Sequence, residues 1–484
     1  MSLQIYNTLH REKEEFIPLV PGNAGMYVCG MTVYSDAHIG HAKSYVSFDV
    51  IRRYLMFLGY HVTYVQNVTD VGHMTDNDED DGEDKLLKES ARTKIHPMQI
   101  AETFTRRTSE DLAAMNVLPP DIMPRATGHI IEQIEIVKDL IAKGFAYEVN
   151  GSVYFDVTKD KEYGKLSGRK TEDQEGQGRV ESRSEKRHPN DFALWKKAEK
   201  GHILRWPSPW GDGFPGWHIE CSAMSMKYLG ETFDIHCGGI ENQFPHHECE
   251  IAQSECSTGK TFARYWIHNN MVTVDGQKMG KSLGNSSYLR DLFKEFDPMT
   301  LRYYLLQSHY RGTTEYKKDA IEAARTGYQK LLSSYKKLSE AAGKIGARSL
   351  HEQELAHPLV KQFIEAMDDD FNTPKAIAIL YDLAKETNSA LDKPNKAKLE
   401  ELYQIWNALA GQVLGILPTS DSRLQASDDR EKKVLAALIE KKIQQRLEAR
   451  AKKDFAMSDL IRDDLAQSGI LLEDSKDGTK WSLK

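Results

Sequence analysis

Residues 26–30 (Met-Tyr-Val-Cys-Gly) form a compact apolar run, as expected of a strand buried on both faces. After a loop, apolar positions at Phe48, Ile51, Leu55 and Leu58 step by three and four. That spacing predicts a helix from about Gly40 to Leu58, stopped by Gly59. His61 to Val68 reads as a second strand. Strand, loop, helix, strand is the opening of a doubly wound nucleotide-binding fold. The pattern recurs with a strand at Thr232–His236, a turn at Cys237-Gly238-Gly239 and a helix from His246 to Glu255. More than a hundred residues of mixed character separate the two units. The fold class expected is therefore α/β: a Rossmann-like doubly wound parallel sheet split by a large insertion.

From Lys317 onward the pattern turns helical, with Tyr328, Leu331, Tyr335 and Leu338 on one face and Thr373-Pro374 opening another helix. A polar linker, Leu417 to Arg430, leads to a basic helix, Glu431 to Asp454, carrying Lys441, Lys442, Arg446, Arg450, Lys452 and Lys453. The apolar Ile470-Leu471-Leu472 and a turn at Asp477-Gly478 follow, so an α-helical bundle and a small mixed C-terminal domain are expected after the sheet. Gly164 to Asn190, rich in Gly, Ser, Glu, Arg and Lys, reads as a mobile loop, and the acidic run Asp76 to Asp84 as a solvated one.

At 484 residues the chain is too long for one core, and three or more domains are expected. No apolar run approaches the roughly 20 residues of a membrane span, and the first eleven residues do not read as a secretory signal. The location expected is the cytoplasm. Five widely spaced cysteines (29, 221, 237, 249, 256) argue for reduced thiols, some of them metal-binding, over a disulfide framework. A net charge of −8 means that a nucleic-acid partner would have to dock on local basic patches such as the Lys441–Lys453 helix.

Three constellations carry chemistry. His38-Ile39-Gly40-His41 lies where a strand feeds a helix, whose free N–H groups attract phosphate. Lys278-Met279-Gly280-Lys281-Ser282 offers two lysines on a small-residue loop, suited to clamping a pyrophosphate leaving group. In this order around a nucleotide-binding fold they resemble the HIGH and KMSKS signatures of class I aminoacyl-tRNA synthetases. The third is a metal set. His246 and Glu250 share a helix face, Cys29 ends the first strand, and Cys221 follows Trp217 in Gly-Trp-His-Ile-Glu-Cys. His236, His247 and Cys249 are competing ligands, and buried, inert cysteines are the bland alternative.

The segments YVCGMTVYSDAHIGH, QNVTD, PGWHIECSAM, FPHHECEIAQSE and KMGKSLGN, with the tail GILLEDSKDGTKW, are similar in order and spacing to the motifs of the cysteinyl-tRNA synthetase family, over essentially the whole chain. The resemblance implies one zinc ion per chain, held by Cys29, Cys221, His246 and Glu250 and meeting the substrate sulfur. It places Thr69 and Trp217 in the cysteine pocket, His38, Gly40 and His41 on ATP, and Lys278 and Lys281 on the triphosphate. His38, His41, Lys278 and Lys281 are then the catalytic set. Substrates implied are cysteine, ATP with Mg2+, and tRNA(Cys), with the protein acting as a monomer. The implied domains are the catalytic halves 1–115 and 226–290, a connective insertion 116–225, a stem-contact region 291–316, a helical anticodon-binding bundle 317–415 and a C-terminal tRNA-binding domain 428–484.

A metal suits the selectivity problem, because a plain pocket separates isosteres such as cysteine and serine by only about 1–3 kcal/mol. The sequence departs from the family at Gly280, where serine is usual, at Glu241, where aspartate is usual, and after QNVTD, where Val71-Gly72-His73 and the acidic run replace the usual DDK. No role is assigned at these positions. A related cysteine ligase acting on an amino sugar shares adenylate formation and zinc, but typically lacks a long C-terminal helical region, so the segments after Lys317 favour tRNA.

Overall fold

Four short parallel strands, buried along most of their length, build the sheet on which the site rests. The structure, a computed structural model, describes residues 2–74, 84–169, 185–274, 276–278, 287–343, 345–418, 439–450, 454–467, 469–475 and 478–483. An antiparallel hairpin, β1 (Gln4–Asn7) and β2 (Glu12–Glu15), precedes β3 (Asn23–Val28), α1 (Ile39–Phe57) and β4 (His61–Gln66). Two helices follow, α2 (Lys85–Thr93) and α3 (Pro97–Ala114). The long segment between the two nucleotide-binding units holds α4 (Ile130–Ala142) and an antiparallel four-stranded sheet of β5 (Ala146–Val149), β6 (Ser152–Phe155), β7 (Phe192–Lys197) and β8 (Gly213–Pro215). The chain then returns through α5 (Trp217–Leu229), β9 (Phe233–Gly239), α6 (His246–Thr258) and β10 (Ala263–Asn269).

The parallel sheet has the order β10-β9-β3-β4. Its topological switch point therefore lies between β3 and β9, where a crevice opens beyond the carboxyl ends of the strands. Met26, Val28, Ile235, Cys237 and Ile267 pack on the α1 side, whereas Tyr27, Phe233 and Trp266 join Cys221, Met224 and Ile251 of α5 and α6 on the other. Both faces are covered, as all-parallel sheets require.

At Cys237-Gly238-Gly239 the expected turn is instead the last three residues of β9, paired with Ile267, His268 and Asn269. Glycine is needed there for close packing: a Cβ at residue 238 would lie 2.6 Å from the His247 ring. Asp84, expected in a solvated acidic loop, is buried and caps α2, accepting from the Leu86 and Leu87 amides at 2.8 and 3.1 Å. The rest of that run, and residues 170–184 of the Gly164–Asn190 loop, lie outside the described residues.

Beyond β10 come β11 (Val272–Val274), β12 (Gln277–Lys278), α7 (Leu289–Leu292), α8 (Pro298–Leu306) and β13 (Thr314–Glu315). The helical part follows: α9 (Lys318–Ala342), α10 (Glu352–Leu355), α11 (Pro358–Asp368), α12 (Thr373–Asp392) and α13 (Lys396–Trp406), which runs into a π-helical turn at Asn407–Val413. Its apolar stripe, including Tyr328, Leu331, Leu338, Phe363, Leu380 and Trp406, is continuous with the α1 side of the sheet, so both share one core. This part of the chain, Met1–Leu417, forms one compact unit. A second unit, Pro418–Lys484, contains α14 (residues 439–450), α15 (Phe455–Gln467) and the antiparallel hairpin β14 (Ile470–Ser475) and β15 (Gly478–Leu483) around Ile439, Ile443, Ile461, Leu465 and Ile470. On α14, Lys441, Lys442 and Arg450 are exposed, but Arg446 is buried and so is not part of an exposed basic face. No helix among the described residues is long and apolar enough to cross a membrane.

Candidate active site

A cavity of about 460 Å3 opens at the switch point, bordered by Cys29, His38, His41, Thr69, Trp217, Cys221, His246 and Glu241 among others. Its histidine end is built by the start of α1. The His38 Nδ1 accepts from the Gly40 and His41 amides at 3.1 and 3.3 Å, and the His41 Nδ1 accepts from the His38 amide at 3.2 Å. This reciprocal cap leaves the two rings stacked with centroids 3.7 Å apart. A Cβ at Gly40 would sit 2.9 Å from the His38 ring, so glycine makes room for the cap. The segment after the lysine motif docks here: the Ser287 carbonyl accepts from the Ile39 amide at 3.1 Å. Lys278 ends β12, whereas Gly280 and Lys281 lie outside the described residues.

At the other end, Cys29 just beyond β3, Cys221 on α5, and His246 and Glu250 on α6 bring their donor atoms within 4.8 Å of one another. The Cys29 Sγ is 3.7 Å from the Glu250 Oε1, and the His246 Nε2 is 3.1 Å from the same oxygen. Ligand atoms around a tetrahedral zinc are about 3.3–3.8 Å apart. A second grouping, Cys29, His236, His247 and Glu250, meets the same distance limit. The two differ in what they face. Cys221 and His246 border the cavity, whereas His236 and His247 do not. The His236 Nε2 instead donates to the Glu250 Oε2 at 2.7 Å, and the His247 Nδ1 is 2.8 Å from the His268 Nε2.

Electrostatics favour a cation at this end. Burial pushes the Cys29 thiol up to about 12 and the Cys221 thiol well above its ordinary range, so thiolates there need a positive charge in contact. Burial also raises Glu250, but His236 and His246 outweigh it and hold the carboxylate down to about 2. Two sulfurs, one imidazole and one carboxylate in a buried cluster fit a zinc ion, with His236 as the outer partner that orients the carboxylate.

Thr69 and Trp217 form the walls between the two ends. The Thr69 hydroxyl donates to the Glu220 Oε1, which the Asn67 Nδ2 also approaches at 3.4 Å. The Asn67 Oδ1 accepts from the Gly30 amide at 2.7 Å, and a Cβ at Gly30 would collide with the Asn67 carbonyl. One polar network thus ties the residue after Cys29 to the residue before Cys221. Burial raises Glu220 to about 8. Trp217 stacks near His246 with ring centroids 4.0 Å apart and lies flat on His73 at 4.2 Å.

Of the site residues expected from the sequence, Cys29, His38, His41, Thr69, Trp217, Cys221 and His246 border this cavity and Glu250 belongs to its metal-type end, whereas Gly40 does not border it and only the main-chain position of Lys278 is described. Glu220, His218, His236 and His268 have no motif spacing of their own. His236 is among the competing ligands named from the sequence, and a signal that links His268 to it is that the two fall two residues out of register on neighbouring parallel strands, and so share a sheet face.

The model for the "tRNA synthetases class I (C) catalytic domain" matches residues 15–326, and that for the "DALR domain" matches residues 362–418. In fold the chain resembles the Mycobacterium tuberculosis methionyl-tRNA synthetase bound by methionyl-adenylate (TM-score 0.55, 13% identity, 81% of this chain and 92% of that one). It also resembles the Agrobacterium radiobacter K84 LeuRS in its ternary complex (TM-score 0.57, 12% identity, 83% of this chain and 85% of that one). These matches define a class I aminoacyl-tRNA synthetase. The Cysteine–tRNA ligase of Chlorobaculum tepidum is 52% identical over 100% of this chain and 99% of its own length. That of Deinococcus radiodurans is 49% identical over 99% and 96%, and that of Thermus thermophilus 47% over 100% of both. The chain belongs to the cysteine–tRNA ligase family.

Proposed function

We propose that the protein activates cysteine with ATP, accompanied by Mg2+, and transfers the cysteinyl group to the 3′ end of tRNA(Cys), acting as a cytoplasmic monomer. The observation that carries the reading is the placement of the Cys29, Cys221, His246 and Glu250 donors at one end of a cavity whose other end is the capped start of α1. The cysteine carboxylate attacks the α-phosphorus of ATP and pyrophosphate leaves. A terminal ribose hydroxyl then attacks the mixed anhydride, releasing AMP. Neither step needs a covalent enzyme intermediate, so positioning and charge stabilisation suffice.

In this reading His38, Gly40 and His41 hold ATP at the N-terminus of α1, and Lys278 and Lys281 meet its triphosphate. Thr69 and Trp217 enclose the cysteine. Cys29, Cys221, His246 and Glu250 hold zinc, and His236 fixes the Glu250 carboxylate. Bound zinc supplies a soft Lewis-acidic contact on which a thiol ionises far more readily than an alcohol, which selects cysteine over serine.

The test is cysteine-dependent exchange of labelled pyrophosphate into ATP, with metal content measured in parallel. Wild-type protein is expected to carry one zinc per chain, to lose exchange on chelation and to regain it with added zinc. Cys221→Ala is expected to lose both zinc and the preference for cysteine over serine. Active protein free of zinc, or unaltered preference in the variant, would overturn the metal assignment. Charging of tRNA(Cys) tests the second step.

A further inference from the structure

Among the described residues that line the cavity, Lys85 is the only lysine or arginine. Lys43, on the neighbouring face of α1, is buried with its ammonium on the Met271 and Gly312 carbonyls and does not border the cavity. Lys85 directly follows the acidic run after QNVTD, and main-chain contacts place it. Its amide donates to the His73 carbonyl at 3.0 Å, and the Asp84 carboxylate accepts from the Gly72 amide at 2.8 Å. Residues 72–73 and 84–85 are thus strapped to each other, and His73 and Lys85 become neighbours.

Their side chains meet as well. The Lys85 ammonium donates to the His73 Nε2. That nitrogen therefore carries the lone pair, and the His73 Nδ1–H donates to the Thr32 hydroxyl oxygen. The His73 ring lies on Trp217 at an interplanar angle of 9°. Trp217 touches His246 on one side and His73 on the other, with centroids 4.0 and 4.2 Å away. It therefore spans the distance from the metal-type cluster to the wall that carries Lys85.

We propose that Lys85 is a substrate-binding residue that receives the α-carboxylate of the amino acid, with His73 as its positioning residue. The inference rests on the cysteine-activating function proposed above. Cysteine is short: one methylene separates its sulfur from the α-carbon. With the sulfur at Cys29, Cys221 and His246, the carboxylate lies within a side-chain length of them, which is the span Trp217 covers. An ammonium there holds the carboxylate oriented while it attacks the α-phosphorus. It also makes recognition depend on the carboxylate as well as the thiol.

The experiment uses the full-length zinc-loaded protein, with Lys85→Met and Lys85→Arg beside wild type in pyrophosphate exchange. Cysteamine, which keeps the thiol and amine but has no carboxylate, serves as a competing inhibitor. Loss of a charged hydrogen bond is expected to raise KM for cysteine about tenfold or more in Lys85→Met. KM for ATP should stay within about twofold, cysteamine inhibition should be unchanged, and Lys85→Arg should recover part of the loss. Unchanged KM for cysteine would overturn the proposal. So would equal weakening of cysteine and cysteamine, which marks a merely structural role, or an effect confined to KM for ATP, which assigns the cation to a phosphate. Absence of exchange in wild type would instead overturn the functional reading beneath it.

Discussion

At the scale of single residues, the buried histidines behind the cluster set an acid limit on stability. The His268 ring is enclosed between the His247 Nδ1 and the Thr8 hydroxyl, each 2.8 Å away. Burial first, and the nearby His236 second, hold it down to about 3. Its unfolded value is about 6.5, so its contribution is fully present above that pH. As pH falls from about 6.5 towards 3 the unfolded chain takes up a proton that the folded one refuses, at about 1.4 kcal/mol per pH unit. Between pH 7.5 and 5.0 wild type should lose about 2 kcal/mol more than His268→Gln in urea unfolding. Equal losses would show that His268 does not refuse its proton. The cysteine and histidine members of the cluster were legible because zinc-ligand residue types at helical spacing and a family likeness both point to them. His268 and Glu220 were not, because their roles arise from contacts across 21 and 151 residues, which leave no local pattern.

At the scale of elements, one buried charge cluster locks the helix that carries His38 and His41 to the helical part. The Asp49 carboxylate on α1 accepts from the Arg53 Nε at 2.8 Å, from the Leu118 amide at 2.9 Å and from the Arg302 guanidinium of α8. Arg302, fully buried, also donates to the Leu414 carbonyl at 2.9 Å and to the Met115 and Asn116 carbonyls at 3.1 Å. Arg302→Met leaves Asp49 short of one partner and removes the Arg302 donor from the Leu414 and Met115 carbonyls, while the Asn116 carbonyl keeps the Arg53 Nη2 at 2.8 Å. Breaking such a pair costs about 3–5 kcal/mol. Urea unfolding of the 1–417 unit should show that loss, and a change below about 1 kcal/mol would mean that Arg302 is dispensable. The extent of α1 and the apolar face of α9 followed from their apolar period, which each helix carries within itself. The continuation of β9 through Gly239 did not, because two glycines after a cysteine favour a turn locally and only pairing with β10 makes them a strand. Asp84 was hidden in the same way, as an acidic residue among many until the start of α2 gives it amides to cap.

For the whole molecule, the question is how an acidic chain of net charge −8 meets a polyanion. Affinity for a nucleic-acid backbone comes from local cations that displace counterions, and net charge does not decide it. In the second unit, α14 exposes Lys441, Lys442 and Arg450, while Ile439, Ile443 and the buried Arg446 face inward. The sequence shows the basic composition of this helix but cannot say which cations face solvent until the packing against Ile461 and Leu465 is known. If this face contacts tRNA phosphates, Lys441→Glu/Lys442→Glu/Arg450→Glu should raise KM for tRNA(Cys) in the charging reaction. The salt dependence of that KM should fall by roughly one unit of log–log slope per lost contact. Pyrophosphate exchange should be unchanged, because the small-molecule cavity is built entirely from residues of the first unit. An unaltered KM and salt slope would remove α14 from the tRNA interface. Equal loss of exchange and charging would instead mean that the substitutions damage the fold.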